Sequence, residues 1–234
     1  MSDDIFGEAF HDYLNGNTDE KIIVNMDISE PEDIPVKYFF RSYKEMPNYE
    51  KKVLNLCQGR VLDVGAGAGS HSLYLQQKGH EVIAIDISTG GVACMKQRGV
   101  KNVMNADFME MKDSQFDTIL FLMNGLGMAE KLNNLHKLLV HAASLLNKDG
   151  KIYLESTDIL YMYEDEEGVA MINLAGKYYG EIVYQLEYKG VQGKPFQWLF
   201  VDFDNLSQVA SLAGLKCELF FQGETDNYIA CLYK

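Results

Sequence analysis

Along most of this 234-residue chain, apolar positions come in short unbroken runs separated by amphipathic stretches. That alternation is expected of strands buried on both faces with helices between them. Val61, Leu62 and Val64 predict a first buried strand, which breaks into Gly65-Ala66-Gly67-Ala68-Gly69. A helix is expected from Ser70 to Lys78, then a strand over Val82-Ile83-Ala84-Ile85-Asp86. Ser88 is placed to cap the next helix and Gly99 to end it. Asn102 to Asn105 predicts a short third strand, and Phe116 to Met123 a strongly apolar fourth. Leu132, Leu135, Leu138, Leu139, Ala142, Leu145 and Leu146 recur on one face of a long helix. Asn147 to Gly150 then turns the chain into a fifth strand, Lys151 to Glu155.

The two ends depart from this pattern. In residues 1–57, Asp27 to Asp33 holds Ser29, Pro31 and several acids and looks like a loop, whereas Tyr38 to Tyr43 and Tyr49 to Leu56 look wholly or partly helical. Thr157 to Gly180 is too long for a routine connection. Ile182, Tyr184, Leu186 and Tyr188 then alternate as a half-buried strand, and Lys189 to Lys194 turns toward Trp198-Leu199-Phe200-Val201, which predicts an added hairpin. Leu206 to Leu212 reads as a helix stopped by Gly214. The strands Leu215 to Phe221 and Tyr228 to Tyr233 are joined by too few residues for a parallel crossover, so they pair antiparallel. The expected fold class is α/β: a doubly wound, mostly parallel, Rossmann-like sheet with a reversed C-terminal strand. Residues 1–57 form an N-terminal helical cap, 58–234 the main domain, and 157–202 an insertion acting as a lid.

Charge narrows the partners. A net charge of −13, with a sequence pI near 4.8 and no basic patch, disfavours nucleic-acid substrates. No apolar run approaches the roughly 18–20 residues that span a bilayer. Met1-Ser2-Asp3-Asp4 lacks the features of a signal peptide, so a cytoplasmic location is expected. Cys57, Cys94, Cys217 and Cys231 show neither CxxC spacing nor a histidine pattern and read as free thiols, with no metal site. Cys217 and Cys231 fall on adjacent strands and are placed to face each other. The acidic run Glu164 to Glu167 reads as a solvated loop or a grip for a cation. The hairpin from Tyr184 to Trp198 offers an edge for a homodimer.

Candidate chemistry gathers at strand C-terminal ends, where open α/β sheets bind ligands. The glycine loop follows the first strand and Asp86 ends the second, where its carboxylate can accept from both hydroxyls of a ribose. Asp107-Phe108 follows the third, an acid and a ring suited to adenine. Asn124-Gly125-Leu126-Gly127 follows the fourth and puts a polar, open-backboned edge beside the loop. Each residue also has a plain structural reading as a turn glycine, a capping Asp, a core Phe or a loop Asn. The dinucleotide fingerprint is GxGxxG. Gly65, Gly67 and Gly69 make GxGxG instead, and Asp63 puts a carboxylate near the cradle, which suits a cationic ligand better than a pyrophosphate.

On Val61-Leu62-Asp63-Val64-Gly65-Ala66-Gly67-Ala68-Gly69, Asp86, Asp107-Phe108 and the terminal antiparallel pair, the chain resembles the class I S-adenosylmethionine-dependent methyltransferases. The resemblance covers Leu54 to Leu154 and, by topology, the last two strands. It implies a seven-stranded sheet and S-adenosyl-L-methionine as cofactor. It places the backbone of Gly65, Ala66 and Gly67 against methionine and ribose, Asp86 on the ribose hydroxyls and Ile87 on the adenine. Asp107 accepts from the exocyclic amine with Phe108 alongside, Asn124 sits near the methionyl end, and Asp63 holds the amino group. Arg41, a lone arginine in an aromatic segment, is the candidate for the methionine carboxylate, or else covers an aromatic cluster at the surface.

Methyl transfer from a sulfonium asks the protein for alignment, exclusion of water and, for a protonated acceptor, removal of a proton. Candidate bases are His71, just after the glycine loop, and Glu155, at the end of the fifth strand. The first equally suits a helix start and the second a loop cap. His136 and His141 read as surface residues. The fourth strand is followed by no NPPY-type tetrapeptide, which weakens methylation of a nucleobase amine, and there is no metal-ligand cluster for a catechol-type reaction. Tyr38, Tyr43, Tyr161, Tyr163, Tyr178 and Tyr179 are expected around the acceptor or as a small core of the lid. The expected partner is a small-molecule acceptor, with no nucleic acid and no membrane. Two readings compete: an NAD(P)-dependent oxidoreductase with a variant glycine loop, and a non-catalytic adenosyl-ligand-binding protein on the same fold.

Overall fold

The structure, a computed structural model, describes residues 4–112, 114–172 and 176–234. Met1-Ser2-Asp3 of the acidic start and residues 173–175 of the long connection lie outside the described residues. Asp4 caps the first helix, α1 (Ile5–Leu14), its Oδ1 accepting from the Gly7 amide at 2.9 Å. The chain then departs from the expected helical cap: Lys21–Met26 (β1) and Ser29–Pro35 (β2) form an antiparallel hairpin. The strand pattern in β2 is hidden because it is a polar edge strand carrying two prolines, residues that only an edge tolerates. Two 3-10 turns, Val36–Phe40 and Tyr43–Glu45, lead into α2 (Asn48–Leu56).

From here the elements follow the expected order: β3 (Arg60–Val64), α3 (Ser70–Gln77), β4 (Glu81–Asp86), α4 (Thr89–Arg98), β5 (Val103–Asn105), β6 (Phe116–Phe121), α5 (Leu132–Ser144) and β7 (Leu146–Thr157). Ser88 caps α4 and Gly99 ends it with φ +93°. β7 starts earlier than expected, because Asn147 to Gly150 is an irregularity within the strand rather than a turn before it. The register with β6 jumps there, from Phe116↔Leu146 to Thr118↔Lys151. The chain continues through β8 (Glu181–Tyr188), β9 (Val191–Gln192), β10 (Phe196–Leu199), α6 (Phe203–Leu212), β11 (Lys216–Gln222) and β12 (Asn227–Tyr233).

Among the described residues, seven strands form the main sheet in the order β11-β12-β7-β6-β3-β4-β5. All neighbours are parallel except around β12, which runs antiparallel to both β7 and β11. This is the doubly wound α/β sheet with a reversed last strand. Val53 and Leu54 of α2 and Leu75 of α3 pack on Val61, Val82, Leu120 and Ile229, while Val92 and Met95 of α4 pack on Ala84. On the other face Leu135, Leu138 and Leu139 of α5 and Leu206 of α6 cover Leu62, Ile119, Phe121 and Leu154. Burying a leucine side chain contributes about 1.5–3 kcal/mol. Cys217 faces Leu232 and Cys231 faces Glu218, one step off the expected pairing, and the four cysteines are free thiols.

A second sheet, ordered β10-β8-β1-β2 with β9 also on β8, joins the N-terminal segment to the insertion. β1 pairs with β8 from Ile23↔Glu187 to Met26↔Tyr184. Within the hairpin from Tyr184 to Trp198, β8 is thus paired on both sides, and β10 is its outer strand. Ile22, Val24, Leu186 and Tyr188 turn inward onto Ile5, Ala9 and Phe10 of α1, and Ala68 of the glycine loop joins the same cluster.

Candidate functional site

The alternate glycines of the loop have a backbone cause. Gly65, Gly67 and Gly69 sit at φ +67°, +56° and +81°, in the left-handed region where a side chain is strained. The amides of Gly65 and Ala66 both donate to the Ile85 carbonyl at 3.0 Å. A Cβ on Gly69 would lie 2.8 Å from Met95 Cγ, so this glycine lets the loop seat on α4. A Cβ on Gly65 would meet only Met128 Cε, at 3.9 Å, so here the backbone is left open to a ligand.

Asp86 ties this loop to the next strand end. Its Oδ2 accepts from the Gly67 amide and its Oδ1 from the Ser88 amide, both at 2.8 Å. Burial raises its proton affinity and the two amides only partly offset that. The carboxylate is fixed in orientation, with lone pairs remaining for hydroxyl donors. Ile87 beside it is 77% exposed, an apolar side chain held in the open next to the cradle. Asp107 is exposed and caps the following turn, its Oδ1 accepting from the Met109 amide at 2.8 Å. Phe108 does not stand alongside it. The ring is 2% exposed in the core, edge-on to Phe121 at 5.1 Å, so the Phe108 side chain offers no face to an adenine. His141, expected at the surface, reaches in to the Phe108 carbonyl at 2.9 Å.

Asn124 follows β6 in a left-handed conformation, φ +54°. Its Nδ2 donates to the Leu199 carbonyl at 3.4 Å, while its Oδ1 is buried with no hydrogen-bond partner among the described residues. A buried acceptor without a donor costs about 1–3 kcal/mol and points to a ligand that supplies one. An exposed cradle, an oriented carboxylate, an open apolar wall and an unpaired amide oxygen fit an adenosyl group bearing an amino-acid tail.

Below this cradle, five ionisable side chains converge between the C-terminal edge of the sheet and helices α2 and α3. Asp63 on β3 is 2% exposed and accepts from Ser72 Oγ at 2.6 Å. Burial raises its proton affinity, opposed by His71 and Ser72. Glu50, on α2, is fully buried. Arg41 Nη2 donates to its Oε1 and Oε2 at 3.1 and 3.3 Å, and His71 Nε2 lies 2.9 Å from Oε2. Arg41 therefore sits at the site and not at the surface, its guanidinium 3.8 Å from the centre of the Tyr38 ring. Sequence reasoning passed over Glu50. The signal was a carboxylate one turn before Val53 and Leu54, on the buried side of an otherwise amphipathic helix.

The two candidate bases differ. Desolvation disfavours a charged His71 ring, but its bond to Glu50 and the nearby Asp63 outweigh this and raise its proton affinity. Its Nε2 is engaged by the Glu50 carboxylate, so the ring is tied into an ion-pair cluster and not turned toward an acceptor's proton. Glu155, near the end of β7 and 8% exposed, takes the Met123 amide on Oε2 at 2.7 Å and the Tyr49 hydroxyl. Burial, reinforced by Glu50, pushes it up to about 7 against the pull of Met123, Tyr49 and His71.

The aromatic residues divide. Tyr38, on Arg41, faces Glu50 and Glu155. Tyr43 stacks on Tyr74 of α3 at 4.0 Å and accepts from Asn55 of α2, so it is engaged by the two helices. Tyr163 donates to the Tyr179 carbonyl, Tyr179 to Asp158 and Tyr178 to Asp202, so these three tie the insertion together, with Tyr178 also packing on the main core. Tyr161 is half-exposed near Tyr184 and Glu32. Tyr184 stacks on Trp198, which packs directly on Gly127 after Asn124, so the second sheet reaches the site. Among the described residues no group of His, Cys, Asp and Glu is arranged to hold a metal ion.

The family described as a methyltransferase domain matches residues 62–154. A crystal structure of an S-adenosylmethionine-dependent methyltransferase from Bacteroides fragilis, in complex with S-adenosyl-L-homocysteine, is 40% identical. It superposes with a TM-score of 0.91 over 98% of this chain and 94% of that one. An uncharacterised methyltransferase from Staphylococcus carnosus is 33% identical over 131 residues, which cover 55% of this chain and 58% of that relative's length. The CcbJ methyltransferase of Streptomyces caelestis, 13% identical with a TM-score of 0.61 over 82% of this chain and 94% of its own, shares the fold. With sheet order, cradle and near-complete coverage of the Bacteroides protein in agreement, the chain belongs to the class I S-adenosylmethionine-dependent methyltransferases.

Proposed function

We propose that this protein binds S-adenosyl-L-methionine and methylates a small-molecule acceptor. The observation that carries the reading is the open glycine cradle locked to the Asp86 carboxylate, one strand from the unpaired Oδ1 of Asn124. Gly65, Ala66 and Gly67 would hold the methionine and ribose portions, Asp86 the ribose, Ile87 and Asp107 the adenine, and Asn124, Asp63 and Arg41 the methionyl end. When bound, the cofactor supplies a methyl group already activated by its sulfonium.

The chain's own residues then orient the acceptor, exclude water and move a proton. Glu155 is the candidate proton acceptor, since a carboxyl titrating near neutrality is matched to that task. His71 serves in the ion-pair cluster beneath. The small-molecule class is supported by the acidic charge of the chain and by the second sheet standing over the strand ends, where it would crowd a large acceptor. The free cysteines suit a reducing compartment, in keeping with a cytoplasmic protein. No helix among the described residues is long and apolar enough to cross a membrane.

Calorimetry with S-adenosyl-L-methionine, S-adenosyl-L-homocysteine and NAD tests the cofactor. Heat with both adenosyl compounds and none with NAD is expected; binding of NAD alone would sink the reading. An acceptor screen that follows release of S-adenosyl-L-homocysteine then distinguishes an enzyme from a non-catalytic binder.

A further inference from the structure

Glu50 is a fully buried carboxylate at the start of α2; it touches neither the cradle nor Glu155, on which it acts only through its charge. A buried charge persists only when it is paired on its free oxygens. Glu50 is paired from two sides: Arg41 Nη2 reaches both oxygens at 3.1 and 3.3 Å, and His71 Nε2 lies 2.9 Å from Oε2. Desolvation opposes its charge, but His71 and Arg41 outweigh it and hold the group below the usual carboxylate range.

The guanidinium is fixed in consequence. Glu50 sets one edge, the Tyr38 ring lies 3.8 Å from it, and Met123 Sδ is 3.5 Å from Nη2. Its bonds to Glu50 and Met123 leave from Nη2, and Tyr38 is a further side-chain partner. A guanidinium carries five N–H groups, so a side chain 9% exposed keeps donor capacity beyond these contacts. Met123 adjoins Asn124, whose unpaired Oδ1 also awaits a ligand.

We propose that Glu50 is a positioning residue, braced by His71, that holds Arg41 by Nη2 so that a remaining N–H of the guanidinium donates to the α-carboxylate of the cofactor's methionyl group. The proposal rests on the adenosyl-cofactor reading. With Nη2 taken by Glu50, the cofactor's carboxylate receives a single charge-assisted hydrogen bond, whose strength depends on the plane of the guanidinium being held in advance.

The test is calorimetry of wild type, E50Q and E50D with two probes. One is S-adenosyl-L-homocysteine; the other is 5′-methylthioadenosine, which keeps the adenosyl thioether but lacks the amino-acid tail. Glu50→Gln keeps the shape and loses the charge. Glu50→Asp keeps the charge but draws it back by a methylene, and binding of 5′-methylthioadenosine by each variant shows that it is folded. Each should weaken S-adenosyl-L-homocysteine by about tenfold or more and change 5′-methylthioadenosine by less than about twofold. Adding R41K to either should cost little more, because the residues act as one unit. Equal losses for both probes would mark a merely structural role, and unchanged affinity for the homocysteine compound would mark none. Wild type binding both probes equally would overturn this proposal alone. Wild type binding neither would remove the cofactor reading and the proposal with it.

Discussion

Asp86 and Glu155 are both carboxyls raised by burial, yet their surroundings assign them different work. The oxygens of Asp86 are each oriented by a backbone amide, so it is built to accept further bonds. Hydrogen bonds to charged groups are worth about 1.5–3 kcal/mol, so Asp86→Ala should weaken S-adenosyl-L-homocysteine about ten- to a hundredfold, with far-ultraviolet circular dichroism unchanged. Glu155 is pushed from its ordinary 4.5 to about 7. Its folded form holds a proton that its unfolded form has lost, so stability declines as pH rises from 4.5 through about 7 and levels off above. His71, also raised, loses its contribution in the same direction at higher pH. The two are separated by comparison: urea midpoints of Glu155→Gln should lack the decline between pH 4.5 and about 7 that wild type shows. If Glu155 takes the acceptor's proton, turnover of wild type should rise through the same window.

At the scale of elements, the unexpected joint is Asp4. Its carboxylate accepts from the Gly7 amide at the start of α1 and from the Gly90 amide and Ser88 hydroxyl at the start of α4. Ser88 in turn donates its amide to Asp86, so the docking of the N-terminal helix reaches the Asp86 carboxylate in two steps. Asp4→Ala removes two caps at once and should cost about 1–3 kcal/mol, read as a lower urea midpoint. The bonds from Gly90, Ser88 and Gly7 overcome burial and hold Asp4 below its usual value. Its contribution is therefore present at neutral pH and lost as pH falls through that lowered value. Weaker S-adenosyl-L-homocysteine binding by the same variant would show that helix docking and cofactor binding are coupled.

For the whole molecule, the sheet that joins β1–β2 to β8–β10 makes the start and the insertion of the chain one body standing over the strand ends. A ligand bound at the strand ends should stabilise the entire fold. At a hundred times its dissociation constant, S-adenosyl-L-homocysteine should add about 2.7 kcal/mol. For a chain of this size that is a rise in melting temperature of about 5–11 °C, with none for NAD. A flat melting curve with the adenosyl compound would contradict the site described.

How much of this was legible follows from the range of the forces involved. The main-sheet strands, the Ser88 cap, the loop glycines and the carboxylate of Asp86 all answer to constraints between near neighbours in the chain. Those constraints are burial on both faces of a strand, an amide needing a cap, and a backbone driven to positive φ. A sequence states such demands directly. Phe108 shows the limit: its place after a strand was readable, but whether its ring meets ligand or core depended on Phe121 and His141 arriving behind it. β2 was unreadable because its polar sequence becomes a strand only when β1, itself paired to β8 far along the chain, gives it a partner. Glu50 belongs with these. Its charge is tolerable in the interior only because Arg41 and His71 come from other elements to meet it. The sequence alone thus determined the family's sheet and its cofactor cradle, which are local demands. Tertiary structure decided the second sheet and the buried charge cluster, because strand pairing and compensation of a buried charge have no partner until the chain has folded.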